Sequence, residues 1–340
     1  MDRKEITIPF VHKPAAHCET GVASNMLQFY GIPLSEAMVF GLGSGLFFAH
    51  LTFIRMHGMA VTSFRPLPGR IFNRATKLLG VKLHRAKFRD PDKAMDTLDA
   101  LIEQGIPTGM LVGVFYLPYF PQEYRFHFNA HNITCIGRNA EGKYLISDPV
   151  STRIETISRE ELLKVRYALG TYPPKGRMYW IAQQPEKPGL ALLIRKAIHR
   201  NCRDMLDIPA PIVGVKGIRF LARRMKKWPK RMGEKKAIAN LVQVIRMLEE
   251  IGTGGAGFRY MYAAFLQEAA TVTGESRLNE CSAAMTEAGD MWRHFAVEGA
   301  RLFKKRAGVP LSFDELSQLL LNIADKEETV FRTLKKIINI

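Results

Sequence analysis

The sequence has only four cysteines in 340 residues, and no two of them form a CxxC pair. Their wide spacing argues against a disulfide framework and a cysteine-based zinc cluster, and it favours a reducing compartment. The amino-terminal stretch lacks an apolar core followed by a cleavage site, so we expect no secretory signal and a cytoplasmic location. The sequence also lacks a P-loop GxxxxGK[ST], which argues against an ATP-driven reaction.

Long hydrophobic runs are scarce as well. The most apolar window, residues 37–54, contains three glycines, a serine, a threonine and His50. A buried loop and strand explain this composition better than a membrane span, so we expect no transmembrane segment. Hydrophobic residues make up 47% of the chain, which is enough for a substantial core. The length favours two domains, and it leaves the oligomeric state open.

Acidic residues are fewer than basic ones, 32 against 49, and the net charge is +17. The segment from Arg195 to Lys236 holds fourteen basic residues and three acidic ones, a net charge of +11. Such a cluster attracts nucleic acid, an anionic membrane surface or an acidic carrier protein, unless it is only a solvated helix surface. No zinc-finger spacing, basic aromatic strand or recognition-helix motif accompanies it. We therefore expect no nucleic-acid partner, and a nucleic-acid-binding protein is kept as an alternative.

The pattern of apolar residues changes near residue 185. Before it, short helices and strands are mixed. After Pro188, apolar residues recur at three- and four-residue spacing up to Ile340, which predicts helices. The proline-containing stretch from Gln183 to Gly189 separates the two parts. The sequence thus predicts an α+β domain over residues 1–184 and an all-α helical domain over residues 189–340.

Cap and stop signals locate the elements of the first part. Asp90 and Ser158 stand at helix starts, the second with Glu161 in a capping box, and Gly31 ends a helix. These signals predict helices over Glu19–Tyr30, Ser35–Phe40, Asp90–Gly105 and Ser158–Leu169. Runs of β-forming residues predict strands over Ile106–Phe115, Asn129–Arg138, Lys143–Asp148 and Arg177–Gln184.

Three residues in this part have a pattern that indicates catalysis. Cys18 stands at the start of the first predicted helix, His131 lies in one strand of a predicted hairpin, and Asp148 ends the other strand. A helix N-terminus and a neighbouring imidazolium both stabilise a thiolate, which is the nucleophilic form of cysteine. The order Cys, His, Asp is that of nucleophile, base and orienter in papain-like cysteine enzymes. The sequence therefore predicts these three residues as catalytic.

The alternation of side chains along the hairpin supports this prediction. If Arg138 pairs near Lys143, position 148 lies opposite Ile133 and diagonal to His131. Asp148 and His131 then project from the same face, within reach of a hydrogen bond.

Each of these residues also has a structural interpretation. Cys18 can be a small buried hydrophobic residue, His131 a core histidine, and Asp148 with Pro149 a strand terminator. A metal pair formed by His127 and His131 is not expected, because four residues span about 13 Å along a strand. We expect no bound metal.

The residues around Cys18 resemble a known family. The resemblance to the N-terminal domain of butirosin biosynthesis protein H rests on His17-Cys18-Glu19, Asn25, Gly31, Ser35-Glu36, the Gly41–Gly45 loop, His131 and Asp148-Pro149. The second half resembles the helical domain that commonly follows it, in the stretch Gly252–Arg259, Met261-Tyr262 and Phe265-Leu266.

That family is related in fold to papain-like peptidases of the bacteriocin-processing type, and its named member is an acyltransferase. The named member moves an acyl group from an acyl carrier protein to an amine of an aminoglycoside. The resemblance implies Cys18 as acyl-accepting nucleophile, His131 as general base and then acid, and Asp148 as its orienter. It also implies an acidic acyl carrier protein and a small amine as partners. The phosphopantetheine arm of the carrier is then a co-substrate, with no bound cofactor. A cysteine peptidase or amidohydrolase that uses water as acceptor is the alternative.

The oxyanion hole departs from the related peptidases, which place a glutamine a few residues before the nucleophile. No glutamine precedes Cys18 here. The backbone N–H of Cys18 can supply one donor. The second donor is unassigned, with His12, His17 and Asn25 as candidates.

Two further groups of residues are expected to bind the substrates. The first lies near the nucleophile and after the glycine run, and it comprises His17, Glu19, Asn25 and Arg259. The run Gly252–Gly257 before a helix can bind a phosphopantetheine phosphate, or it is an interhelical turn. The second group docks the carrier protein through the basic segment, and it comprises Arg223, Arg224, Lys226 and Lys227.

Overall fold

The computed structural model of the chain describes residues 5–56, 58–183, 186, 189–250, 254–304 and 311–338. Most of the predicted linker and the start of the predicted glycine run lie outside these residues. The helices are α1 (Cys18–Phe29), α2 (Glu36–Leu42), α3 (Arg70–Leu78), α4 (Pro91–Glu103), α5 (Arg159–Arg166), α6 (Leu190–Leu206), α7 (Gly214–Met225), α8 (Trp228–Met232), α9 (Glu234–Glu249), α10 (Arg259–Thr273), α11 (Arg277–Lys304) and α12 (Phe313–Ile337). The strands are β1 (Ile6–Thr7), β2 (Ala49–Met56), β3 (Met59–Ser63), β4 (Leu83–Ala86), β5 (Thr108–Val112), β6 (His131–Arg138), β7 (Tyr144–Ser147), β8 (Glu155–Ile157) and β9 (Met178–Ile181).

The chain forms two compact units, which differ from the predicted domains in one respect. The first unit lies within Met1–Val39 and Thr76–Pro188, and the second within Phe40–Ala75 and Gly189–Ile340. Residues 40–75, predicted as part of the N-terminal domain, thus pack with the helical part of the chain. They bring the β2–β3 hairpin with them, so the second unit is mainly but not wholly helical.

The first unit is built on an antiparallel sheet with the strand order β4-β9-β5-β6-β7-β8, and β1 pairs with β6. One face of the sheet carries a core in which Leu98 and Ile102 of α4 pack with Met110, Ile133 and Ile146. The helix α1 packs with β6 and buries Val22, Ala23 and Met26. The sheet therefore holds α1 and the hairpin β6–β7 in one unit.

The cap signals gave correct helix starts in this unit. Asp90 caps α4 by accepting hydrogen bonds from the N–H groups of Asp92 (3.0 Å) and Lys93 (3.3 Å). Ser158 and Glu161 form the predicted capping box at the start of α5. The strands β1, β3, β4 and β8 and the helix α3 were not predicted. Most of these strands have two to four residues, too few for a period-two pattern to stand out.

The second unit is mainly the predicted array of helices, and a buried ion pair lies in its core. Arg259 donates to the two carboxylate oxygens of Glu327 at 2.8 and 3.0 Å and to the carbonyl of Gly257 at 2.8 Å. The Trp292 indole N–H donates to the same carboxylate at 2.6 Å. Both charged side chains are fully buried, and the guanidinium lies 5.2 Å from the centre of the Trp292 ring. Among the described residues, no helix has the length and apolarity to cross a membrane.

We expect Glu327→Gln to destabilise the protein by about 3 to 5 kcal/mol, because it leaves the Arg259 guanidinium buried without a counter-charge. The free energy of unfolding from urea denaturation measures this effect. The matched control is Glu250→Gln, which breaks an exposed helical pair with Arg246 and is expected to change stability little. Equal, small effects of the two substitutions would contradict the prediction.

Candidate functional site

The backbone just before Cys18 is held by the carboxylate of Glu36. This carboxylate accepts hydrogen bonds from the N–H groups of Ala16 (2.9 Å) and His17 (2.8 Å) and from the Thr20 hydroxyl (2.9 Å). Cys18 is the first residue of α1, where the backbone N–H groups of the first turn point out of the helix. The sulfur atom therefore lies at the positive end of the helix dipole, which favours a thiolate.

The hairpin β6–β7 contains a one-residue bulge that decides where Asp148 points. The register changes by one between the two ends of the hairpin, from Arg138↔Tyr144 and Gly137↔Leu145 to Cys135↔Ile146 and Thr134↔Ser147. Continued by one step, the second register puts position 148 opposite Ile133, on the face of His131. The first register would have put it opposite Thr134, on the other face. Next to the turn, the predicted register differs from the observed one by one residue. Beyond the bulge, the observed register is the same as the predicted one.

The bulge coincides with the place where β1 joins the sheet. Gly137 pairs with Thr7 there, and a Cβ atom on Gly137 would lie 2.1 Å from the carbonyl oxygen of Ile6. Only glycine allows this approach without a shift of the backbone. The local sequence therefore supports the irregular register on which the position of Asp148 depends.

His131 and Asp148 are in direct contact. The Nε2 atom of His131 lies 2.8 Å from Oδ2 of Asp148, and the Tyr119 hydroxyl donates to the same oxygen at 2.9 Å. The other carboxylate oxygen accepts from the N–H of Val150 at 3.1 Å. Asp148 is fully buried, and the edge of the Phe120 ring packs on the imidazole. The contact predicted from strand alternation is present, with three hydrogen bonds to the carboxylate.

Cys18 completes the arrangement on the other side of the imidazole. Burial by itself lowers the pKa of His131, but the charge of Asp148 and then that of Cys18 raise it to about 10, with hydrogen bonds from both groups adding to the effect. Asp148 and Cys18 therefore both favour the charged form of the ring. At neutral pH the ring is therefore an imidazolium between a carboxylate and the sulfur atom.

The other three cysteines are also buried. Burial raises the pKa of Cys135 and Cys202 to about 12 and that of Cys281 to about 11. They behave as small core residues. Cys18 differs from them in its position at a helix start beside an imidazolium.

The three candidates for the second oxyanion donor have hydrogen-bond partners elsewhere. His12 lies 2.8 Å from the hydroxyl of Ser147 through Nδ1 and 3.2 Å from the carbonyl oxygen of Ser151 through Nε2. A carbonyl oxygen can only accept, so Nε2 of His12 is the donor to Ser151. Asn25 donates to the carbonyl of Lys13 at 2.9 Å. His12 therefore ties the segment before the nucleophile to the residues around Asp148.

A second tie between these segments involves Pro149. Its carbonyl accepts from the N–H of Ala15 at 2.7 Å. Its ring packs so closely on α1 that a Cβ atom on Gly21 would lie 2.5 Å from the Pro149 Cβ. The proline that follows Asp148 is thus a packing element between the hairpin and the nucleophile helix, as well as a strand terminator.

The four residues expected to bind substrate are all buried, with exposed fractions of 2% for His17, 1% for Glu19, 2% for Asn25 and 0% for Arg259. Asn25 and His17 bond to the Lys13 carbonyl and the Thr20 hydroxyl, close to Cys18 in the chain. For His17, the Nδ1 atom lies 3.1 Å from the Thr20 hydroxyl. Arg259 needs a correction: its guanidinium is bonded to Glu327 in the core of the second unit. It has no exposed surface with which to bind a phosphate.

The four residues expected to dock a carrier protein lie at the end of α7 and the start of α8, and they differ in their surroundings. Arg223 and Lys227 are exposed. Arg224 is half-buried over the ring of Phe220, and Lys226 forms an exposed ion pair with Asp314 at 3.0 Å. The basic surface of this region is therefore better represented by Arg223 and Lys227.

Sequence reasoning missed Glu36, Tyr119 and Tyr179. Tyr179 is buried close to Cys18 and Glu19: burial and then the charges of these two groups raise its pKa well above the usual value. Its hydroxyl donates to Asn132 at 2.8 Å. Tyr119 and Tyr179 reach the site from distant parts of the chain, and a spacing pattern along the sequence gives no signal of such contacts. Glu36 was named only within the Ser35-Glu36 pair that carries the resemblance, without a role.

A cavity of about 620 Å³ lies against the loop that carries Tyr119. Tyr116 and Pro118 line it together with the charged groups of Arg125, Glu161 and Lys164. The Lys164 ammonium lies 4.5 Å from the centre of the Tyr116 ring. The volume of this cavity is in the range of small-molecule sites.

Comparisons with known proteins agree with the resemblance stated above. Residues 17–149 match the family described as butirosin biosynthesis protein H, N-terminal. Residues 160–334 match a domain of unknown function, DUF4872. No curated protein matches the chain. The first match contains Cys18, His131 and Asp148 and ends one residue after the aspartate.

We expect iodoacetamide at pH 7 to modify Cys18 and to leave Cys135, Cys202 and Cys281 intact, because a thiol with a strongly raised pKa holds little thiolate at neutral pH. Intact-mass and peptide mass spectrometry locate the label. Cys18→Ser is expected to abolish the labelling and His131→Ala to slow it, whereas the control Cys281→Ser leaves it unchanged. Labelling that persists in Cys18→Ser would contradict the assignment of the nucleophile.

Proposed function

We propose that this protein, which belongs to the butirosin biosynthesis protein H family, is an acyltransferase with a cysteine nucleophile. It would move an acyl group from an acyl carrier protein thioester to an amine and form an amide. The observation that carries the proposal is the arrangement of Asp148, His131 and Cys18, in which the imidazole is bonded to the carboxylate at 2.8 Å and the charges of Asp148 and Cys18 both raise its pKa. The name of the family associates it with biosynthesis, which favours group transfer over degradation.

The proposal includes a papain-like arrangement of the first unit. The nucleophile starts a helix that packs with an antiparallel sheet, and the base starts one strand of that sheet. The orienting carboxylate follows the next strand. These three placements support the papain-like relationship, because they follow the order nucleophile, base and orienter along the chain that papain-like cysteine enzymes have.

In the first half-reaction, the Cys18 thiolate attacks the carbonyl carbon of the carrier thioester. The backbone N–H of Cys18 is a donor for the oxyanion that forms. The tetrahedral intermediate collapses, the bond to the pantetheine sulfur breaks, and the His131 imidazolium gives its proton to the departing thiolate. One thioester replaces another, so bond energy changes little and ATP is not needed.

In the second half-reaction, the amine attacks the acyl group on Cys18. Neutral His131 now takes the proton of the amine as the carbon–nitrogen bond forms, and the Cys18 thiolate departs. The products are an amide and the original thiolate–imidazolium pair. Asp148 keeps the ring oriented in both steps and stabilises its charged form. The four buried residues expected to bind substrate have only supporting roles in this scheme.

The acyl carrier protein is proposed as an acidic partner for the exposed basic side chains at the end of α7 and in α8. Arg223, Lys227, Lys230 and Arg231 are exposed there. The docking surface of acyl carrier proteins is usually anionic, which complements these charges. The phosphopantetheine arm of the carrier, which holds the acyl group, would act as a co-substrate of the enzyme.

Intact-protein mass spectrometry after mixing with acyl-carrier thioesters tests the proposed chemistry. We expect an acyl adduct on the wild type and none on Cys18→Ser. Asp148→Asn is expected to lower the rate of adduct formation by two or more orders of magnitude, on the order of the effect seen for orienting aspartates. Adding amines should release the adduct as an amide. Release of free acid alone would identify a hydrolase instead, and an adduct on Cys18→Ser would exclude this nucleophile.

Charge reversal tests the docking surface separately. The double substitution Arg223→Glu and Lys227→Glu is expected to raise the apparent KM for the carrier about tenfold at low salt, with little change in kcat. The control is Lys82→Glu with Lys87→Glu, which changes the net charge equally on exposed lysines of the first unit. Equal effects of the two double variants would point to net charge alone. An unchanged KM with altered turnover would contradict docking at this surface.

A further inference from the structure

The loop between β5 and β6 brings a tyrosine to the buried carboxylate of the site. The Tyr119 hydroxyl donates to the same oxygen of Asp148 that contacts His131, at 2.9 and 2.8 Å respectively. The position of Tyr119 is fixed on both sides: Arg125 donates to the carbonyl oxygens of Pro118 (2.9 Å) and Phe120 (2.8 Å). The loop therefore presents the hydroxyl through a backbone that is itself hydrogen-bonded.

The Tyr119 hydroxyl keeps its proton at neutral pH and is therefore a hydrogen-bond donor. Burial raises the pKa of Tyr119 well above its usual value, and the charge of Asp148 and the hydrogen bond to it raise the pKa further. Glu155 contributes to the same effect. Tyr119 therefore keeps its proton, and its interaction with Asp148 is that of a neutral donor with an anion.

The shared oxygen connects this hydrogen bond to the basicity of the histidine. A donor that binds a carboxylate oxygen stabilises the anion, and it weakens the pull of that anion on a neighbouring proton. The titratable groups that face His131 are Asp148, after β7, and Cys18, in α1. The ring of Phe120 also faces it and carries no charge. Tyr119 is thus placed to change what Asp148 does to the imidazole without touching the imidazole itself.

We propose that Tyr119 is a positioning residue that acts through Asp148 to limit the proton affinity of His131. The consequence for acyl transfer rests on the proposed function. In the second half-reaction the ring has to be neutral in order to accept the proton of the amine. Without the tyrosine donor, the ring holds its proton more tightly, and the acyl group stays on Cys18 for longer.

The pKa of His131 tests the inference directly, by NMR titration of the ring in protein with isotope-labelled histidine. Tyr119→Phe keeps the aromatic ring and removes the donor. We expect it to raise the proton affinity of His131 about tenfold, the size of change that one hydrogen bond to a charged group produces. The control Tyr116→Phe changes a tyrosine of the same loop that packs under Lys164, and it should leave the titration unchanged. An unchanged or lowered proton affinity in Tyr119→Phe would overturn the inference.

A second variant is expected to shift the proton affinity of His131 in the opposite direction. It can be measured even if Tyr119→Phe does not fold. Site-specific incorporation of 3,5-difluorotyrosine at position 119 keeps the hydroxyl and makes it a stronger donor. The proton affinity of His131 is then expected to fall below that of the wild type. If Tyr119→Phe does not fold, the fluorinated protein decides alone, and a proton affinity that does not fall overturns the inference.

The effect on the reaction separates this inference from the proposed function. In Tyr119→Phe, intact-mass spectrometry should show more acyl-enzyme at steady state and slower release by amine. If the histidine titration shifts as expected and no acyl-enzyme forms in any variant, the proposed function fails and the role of Tyr119 stands. If acyl-enzyme forms and the titration does not shift, the role of Tyr119 fails and the proposed function stands.

Discussion

A carboxylate that is removed from water needs hydrogen bonds or counter-charges in place of its hydration, and Asp148 has both. Its oxygens accept from a backbone N–H and a tyrosine hydroxyl and contact an imidazolium. The rest of the site depends on this buried anion. It orients His131 through one nitrogen, and it holds the charge on the ring that favours a thiolate at Cys18.

The nucleophile and its base come from distant segments, and the structure joins them by several independent contacts. Glu36 holds the backbone that leads into α1, and His12 bonds to both sides of the loop that contains Asp148. Pro149 packs against Gly21 inside the same helix. Because each contact fixes a different part of the segment before Cys18, the position of the sulfur atom does not rest on the helix alone. Such over-determination is what a site needs if a small displacement is to be avoided.

The parts of the site that the sequence predicted are those with a local signal. The start of α1, the cap of α4 and the capping box of α5 depend on residues within one helical turn, and all three are present. The pairing of His131 with Asp148 was also predictable, since both residues lie in one hairpin. The predicted register differed from the observed one next to the turn, before the bulge, because a bulge leaves no mark in the alternation of apolar residues.

The parts that the sequence did not predict depend on contacts between distant residues. Arg259 follows a glycine run and looked like an anion-binding residue, but Glu327 neutralises it from a helix that lies far along the chain. Glu36 and Tyr119 have no periodic relation to the residues they hold. The segment 40–75 packs with the second unit although it precedes most of the first. The pattern of residues along the sequence does not show which distant residues meet in the fold. A buried charge nevertheless needs such a partner.

The bulge in the β6–β7 hairpin makes the site sensitive to whether the number of residues between its base and its acid is odd or even. In a given register, two positions on paired strands share a face only if the number of residues between them has the right parity. The extra residue before Gly137 shifts the register by one, so that Asp148 shares a face with His131. If the bulge is kept, a deletion of one paired residue from this ladder would send the aspartate to the opposite side of the sheet while leaving the sequence of the triad intact, whereas loss of the extra residue itself would only restore a regular ladder. Loss of two residues would preserve the parity. Chain length within this hairpin is therefore constrained in steps of two as long as the bulge is kept, and an odd change would have to come with the loss or the gain of a bulge.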